Sequence, residues 1–258
     1  DKNTLGLKAY ARYYTEVSTL KTLRSALAFA EQKKLTVMPL GGGSNIVLSG
    51  DLNLLVLKID FMGISILEDK DNKTVIESGA GENWHDFVRW CLNHKAYGLE
   101  NLSLIPGSVG AAPIQNIGAY GVELKDHFHS LTAIDISSGE TVQLLPQHCL
   151  FSYRSSTFKT ADKDRYIITA VRFLLDKQLQ EKLDYGVLNE RMSARCTNSK
   201  LTAQLISNTV CDIRREKLPD PDILGNAGSF FKNPIVTDKV YKQLQQQHSD
   251  IVVYRQQG

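Results

Sequence analysis

From Ile105 to Gly121 the chain runs IPGSVGAAPIQNIGAYG, four glycines and two prolines in seventeen residues without one charged side chain. Glycine admits positive φ and carries no Cβ, while proline stiffens the path, so a segment of this kind is suited to bringing main chain close to a ligand. A second glycine run, Gly41-Gly42-Gly43-Ser44-Asn45, follows the apolar stretch 36–40. Two side-chain-poor loops point to one large ligand held by backbone N–H groups, as a pyrophosphate would be. Either loop alone is equally well read as a tight turn.

The two commonest nucleotide-binding patterns are excluded. A Rossmann site needs a glycine turn that opens a helix, so that the helix N-terminus faces the phosphates. Here Asn45 leads into Ile46-Val47-Leu48, an apolar, partly β-branched run that predicts a strand. No Gly-Lys-Ser/Thr completes a P-loop in either segment.

At 258 residues the chain is long enough for two domains. Its net charge of +2, from 30 basic and 28 acidic residues, gives no electrostatic case for nucleic acid or for an anionic membrane. The basic run Arg214, Arg215, Lys217 reads on charge alone as the solvated face of a helix. Cys91, Cys149, Cys196 and Cys211 lack metal-ligand spacing and suit a reducing compartment, and with no signal peptide or long apolar run the expected location is cytoplasmic. The chain starts at Asp1 and stops in a polar stretch, as expected for a piece of a longer protein.

The pattern predicts a helix over 18–33 capped by Ser18, with Leu20, Leu23, Leu27 and Ala30 on one face. Strands are expected at 36–40, 46–49, 53–59, 62–67 and 73–78, then a helix capped by Asn83, then strands near 130–137, 141–145 and 166–175. Helices are expected at 202–217 and 237–247. This is an α+β pattern, not a βαβ alternation. The composition changes near 178, where a domain boundary is expected.

Two further segments carry chemistry. CLFSYRSSTFK, 149–159, sets Arg154 beside Tyr153, and a guanidinium is a planar, permanently charged clamp for a carboxylate. The bland reading is a surface loop with a structural ion pair. GNAGSFFKNP, 225–234, places Ser229 after a glycine and before Phe230-Phe231, a setting in which a serine can pass a proton away from water. The bland reading is a turn serine; the nucleophile-elbow pattern of a hydrolase is missing. The histidines are scattered, and His127-x-His129 reads as incidental rather than as a metal site.

NTLG at 3–6, GGGSN at 41–45, GAGENW at 79–84, GLENLSLIPGSVGAAPIQNIGAYGVEL at 98–124, YRSSTFK, KLPDP at 217–221 and NAGSFFKNP closely resemble the bacterial UDP-N-acetylenolpyruvoylglucosamine reductases, in order and over nearly the whole chain. YRSSTFK and the insertion around Tyr185-Gly186 resemble the form found in many Gram-negative bacteria. The resemblance implies an α+β fold with an FAD-binding domain of the vanillyl-alcohol oxidase (PCMH) type over 1–178 and a partial substrate-binding α/β domain over 179–258. It implies FAD as cofactor, NADPH as reducing co-substrate and UDP-N-acetylglucosamine enolpyruvate as substrate, in a monomer that binds neither nucleic acid nor membrane.

By the same resemblance the cofactor contacts are Gly41, Gly42, Gly43, Ser44 and Asn45 in the first loop. In the second they are Ile105, Pro106, Gly107, Ser108, Gly110, Ala111, Gln115, Asn116, Gly118, Ala119 and Gly121. Arg154 matches the arginine that stabilises the enolate, and Ser229 the proton donor to C2. Tyr153, Tyr185, Lys217, Asn233 and Tyr254 are expected at the substrate, which gives the basic run a use that charge alone did not. Two departures are expected to matter. Ala111-Ala112 stands where some relatives have Ser-Ser, leaving the loop to its backbone. The family's catalytic glutamate lies beyond residue 258, so the chain as given is expected to bind FAD but turn over weakly. The alternatives are another FAD oxidoreductase of this fold and a non-catalytic flavin or nucleotide-sugar binder.

Overall fold

The computed structural model describes residues 2–196 and 200–253. In chain order its elements are β1 (Ala11–Val17), α1 (Leu20–Lys33), β2 (Val37–Leu40), β3 (Leu52–Ile59), β4 (Ile64–Asp69), β5 (Lys73–Gly79) and α2 (Trp84–Asn93). Then come β6 (Gly118–Ala119), β7 (Val122–Glu123), β8 (Phe128–Asp135), β9 (Thr141–Leu144), α3 (Pro146–Cys149) and β10 (Tyr166–Asp176). The helices α4 (Gly186–Cys196), α5 (Ala203–Lys217) and α6 (Asp238–Gln247) follow. The described residues separate into two compact units, one up to Gly228 and one from Ser229.

The first unit holds two main sheets. One is parallel, in the order β1-β3-β2; the other is antiparallel, in the order β4-β5-β10-β8-β9. Strand β10 occupies the centre of the larger sheet, and much of its length alternates between buried and half-buried side chains, as a strand packed on one face requires. Against that sheet lies α2. Trp84, Phe87 and Phe173 form a fully buried triad with ring centroids 4.8 to 6.0 Å apart, and the Trp84 indole N–H donates to the Leu102 carbonyl at 2.8 Å. The aromatic mass is therefore buried without an orphaned donor.

Local chemistry explains most helix starts. Asn83 caps α2 by accepting from the N–H groups of His85 and Asp86, as expected. The cap of α1 is Thr19, not Ser18: Thr19 and Thr22 satisfy each other's backbone in a capping box, which Ser18 has no partner to build. Leu23, Leu27 and Ala30 are buried as expected, while Leu20, in the first turn, is exposed.

Other expectations fail for tertiary reasons. Residues 46–49 are loop, because β3 is already paired on both edges and Val47 projects into solvent. The polar stretch after 178 contains α4, which buries Leu188 and Met192 against Ile206, Val210 and Ile213 of α5. This small cluster explains the composition change near 178. It belongs nonetheless to the same compact unit as the sheets, which continues to Gly228. After β10 the described residues hold helices and no strand. The second unit contains α6, capped by Thr237.

Removing the central ring of the triad tests this core. Phe173→Ala is expected to cost about 3–5 kcal/mol in urea unfolding, with the loss read as a lower midpoint at unchanged slope.

Candidate functional site

The two glycine loops lie against each other. A Cβ on Gly42 would stand 2.9 Å from the Gly107 Cα, and one on Gly41 would stand 2.4 Å from the Ser108 Oγ. Ser44 donates its hydroxyl to the Pro106 carbonyl at 3.0 Å, and Asn45 donates to the Gln115 side chain at 2.8 Å. The second loop is pinned to the scaffold in turn. Trp84 N–H donates to Gly107 O, Val109 N–H to Glu82 O, and Gly110 N–H to Ala80 O, with Gly110 so close to Ala80 that a Cβ would meet it at 2.5 Å.

The first loop leaves its donors open. Among the described residues, the N–H groups of Gly42, Gly43, Ser44 and Asn45 donate to nothing, while Gly43 sits at φ +66. Successive unpaired N–H groups around a left-handed residue make an anion-binding concavity. Two of the loop carbonyls are used structurally: Lys58 donates to Gly41 O at 3.0 Å and Thr4 N–H to Gly43 O at 3.1 Å. Thr4 O in turn accepts from Asn226 N–H at 2.8 Å, so the turn that precedes Ser229 is tied through one residue to the first loop. The Thr4 hydroxyl is buried with no hydrogen-bond partner among the described residues.

Arg154 joins the far end of the second loop. At φ +53 its backbone is left-handed, and its guanidinium lies 5.6 Å from the Tyr153 ring and donates to the Gly118 carbonyl. Glycine at 118 makes the room, since a Cβ there would stand 2.7 Å from Nη1. Ser156 donates to Ile114 O at 2.6 Å and seats the 153–159 segment on the loop. The Asn116 side chain is wholly occupied in scaffolding: it donates to Glu123 and Ser152 O and accepts from Lys125 N–H, while the backbone N–H donates to Pro113 O.

Tyr185 packs edge-on against Tyr120 of the second loop, with centroids 5.4 Å apart. Lys217 is exposed at the end of α5. Ser229 and Asn233 belong to the second unit, and Tyr254 lies outside the described residues. The sequence reading passed over Arg214 as one of a basic run. It is the half-buried member, donating its Nε–H to the Leu104 carbonyl at 3.1 Å, and desolvation lowers its pKa. Leu104, at φ +58, opens the second loop, and its N–H donates to His85 Nδ1 at 3.0 Å. No sequence signal marks a leucine for a left-handed position, so this pair of contacts was not legible.

Residues 11–145 match the family model of the FAD binding domain. The chain is 49% identical over 254 residues to the UDP-N-acetylenolpyruvoylglucosamine reductase of Pseudomonas putida, and 46% and 43% identical to those of Pseudomonas aeruginosa and Paraburkholderia phymatum. Each match covers 98% of this chain and 74% of the relative. The fold is that of the solved UDP-N-acetylenolpyruvylglucosamine reductase (MurB) of Thermus caldophilus, at TM-score 0.63 and 22% identity, over 94% of this chain and 76% of that one. The expected α+β, FAD-binding fold class is the one found. The open N–H run, the glycine contacts that a Cβ would fill and the orphaned Thr4 hydroxyl fit an FAD diphosphate.

Gly42→Ala forces main chain away from main chain, which no rotamer can relieve. FAD titration by flavin fluorescence is expected to show about tenfold weaker binding or worse, with the same far-ultraviolet circular dichroism. A second outcome concerns acid. Burial, aided by Arg89, lowers the His85 pKa from its ordinary 6.5. A group with a depressed folded pKa stabilises above its unfolded pKa and loses that contribution as the pH falls through the folded value. Unfolding stability is therefore expected to drop below about pH 6.5, less steeply in His85→Gln, as urea melts at several pH values would read.

Proposed function

The chain belongs to the UDP-N-acetylenolpyruvoylglucosamine reductase family, and we propose that it reduces the enolpyruvyl ether of UDP-N-acetylglucosamine to UDP-N-acetylmuramate with NADPH as reductant. On this reading it works in the cytoplasm, in the supply of peptidoglycan precursors, as a monomer. The observation that carries the reading is the open N–H cradle facing a second glycine loop, with one guanidinium fixed at that loop's far end.

FAD, when bound, supplies the hydride chemistry. The N–H groups of Gly42 to Asn45 and the backbone of 105–121 would hold it, a fit that relies on main chain and so tolerates Ala111 and Ala112. Arg154 would stabilise the charge that develops on the substrate as C3 gains hydride: the electron pair of the C2–C3 double bond moves onto C2 and its carboxylate. Its plane is fixed by the bond to Gly118 O, which leaves further guanidinium N–H groups for a carboxylate. A cation in place before the charge forms needs no reorganisation during the step. Ser229 would then give its hydroxyl proton to C2 and complete the saturated lactyl ether.

Tyr153 and Tyr185 would line the sugar and enolpyruvyl end, and Lys217, Asn233 and Tyr254 the diphosphate and uridine. Arg214 adds a second permanent positive charge close to the loop, held in place by Leu104 O. The functional division we propose runs near 178, with flavin held before it and substrate after it, although both parts share one compact unit as far as Gly228.

Substrate-dependent NADPH oxidation tests the assignment. The protein is expected to be yellow, to release FAD on denaturation, and to oxidise NADPH only with the enolpyruvyl nucleotide sugar. Arg154→Lys is expected to lower turnover by about 10²–10³-fold. Ser229→Ala is expected to lower it by about 10²-fold or more while flavin reduction by NADPH stays normal. NADPH oxidation coupled only to oxygen, indifferent to the nucleotide sugar, would replace this reading with an oxidase of the same fold.

A further inference from the structure

Away from the glycine loops, α2, α4 and α5 line a cavity of about 360 Å³ that includes His85, Arg89, Arg195, Asn208, Asp212 and Arg215. Three guanidinium groups and one carboxylate line it. Asp212 accepts from Arg195 at 2.8 Å and lies 3.6 Å from Arg215, and Arg195 is steadied further by the Thr209 hydroxyl at 2.9 Å. Arg89 has no ion-pair partner among the described residues. The cavity is thus left with more positive charge than its own acid can match. His85 adds none: its Nδ1 accepts the Leu104 N–H, so the neutral ring carries its proton on Nε2, towards the Cys211 sulfur at 3.9 Å.

Like charges converging on a concave wall repel unless an anion sits between them. Each guanidinium presents paired, parallel N–H donors that match two oxygens of a phosphate. A carboxylate has two oxygens to offer three such forks, whereas a phosphate has more oxygens to share and a second negative charge. The amide of Asn208 adds a donor on the same wall. We propose that this cavity binds a phosphate-class dianion, inorganic phosphate or a phosphomonoester, gripped by Arg89 and Arg215 with Arg195 behind them. The site is separate from the flavin cradle and stands on residues that the proposed reaction does not use.

Its position gives binding a route to the cradle. The Leu104 peptide donates its N–H to His85 and accepts from Arg214, immediately before Ile105-Pro106. An anion beside His85 favours the doubly protonated ring, in which Nδ1 donates and can no longer accept the Leu104 N–H. Occupancy is then felt at the first residue of the second glycine loop.

The test uses FAD-loaded protein, in which the loops are already filled. Sodium phosphate is titrated against sodium chloride at equal ionic strength, followed by calorimetry and by the ¹⁵N resonances of the His85 ring. One saturable site that shifts His85 is expected, weakened about tenfold or more in Arg89→Ala and in Arg215→Ala. Both arginines are exposed, so these variants keep their core, and an unchanged melting temperature verifies it. Glycerol 3-phosphate binding more tightly than phosphate makes the ligand a phosphomonoester; weaker binding makes it the free ion. Heat matched by chloride, no saturation, or binding weakened by Lys217→Ala and not by Arg89→Ala would overturn the proposal.

Discussion

Gly42 and Gly107 bring two stretches of main chain together at a separation that leaves no space for a side chain on the first of them. That approach is what turns two ordinary turns into one cradle. Its geometry is fixed from outside: Trp84, Val109 and Gly110 donate the backbone hydrogen bonds that hold the second loop to the α2 end and to the 80–82 segment. With the Gly41 and Gly43 carbonyls committed to Lys58 and Thr4, the N–H groups of Gly42 to Asn45 remain open. The first loop leaves a run of successive donors unpaired, the arrangement an anion needs.

The aromatic triad beneath α2 supports this arrangement. Trp84 contributes both ring and backbone: the indole packs on Phe87 and Phe173, while the residue's main-chain N–H donates to Gly107 O. Core packing and loop position therefore share one residue. A cavity opened in the core would be felt at the cradle, because close-packed interiors transmit strain more readily than they absorb it.

The charges are arranged with equal economy. Arg154 and Arg214 both donate to loop carbonyls, Gly118 O and Leu104 O, at opposite ends of the second glycine segment. Tethering by the main chain fixes the direction of each guanidinium without neutralising it, as a carboxylate partner would. The cost appears at Arg214, where burial weakens its hold on the proton, although an arginine keeps its charge at any pH the protein meets. His85 stands behind the same segment and links it to the arginine-lined cavity on the other side.

Much of this was legible along the chain, because it depends on near neighbours. Asn83 as a cap, the alternation of β10 and the glycines at 41–43, 107 and 110 follow from local sterics and hydrogen bonding. The role proposed for Arg154 followed only by resemblance, since its place at the second loop requires Gly118, thirty-six residues away, to leave room for it. Ile46-Val47-Leu48 has the composition of a strand and is none, because both edges of β3 were already taken. The sequence by itself determined where the backbone would be bare, stiff and able to turn left-handed, since those properties reside in single residues. Only the tertiary structure decided that the two bare segments touch, that Leu104 joins His85 to Arg214, and that three arginines line one cavity with a single carboxylate, for these depend on pairings across the chain that no local preference encodes.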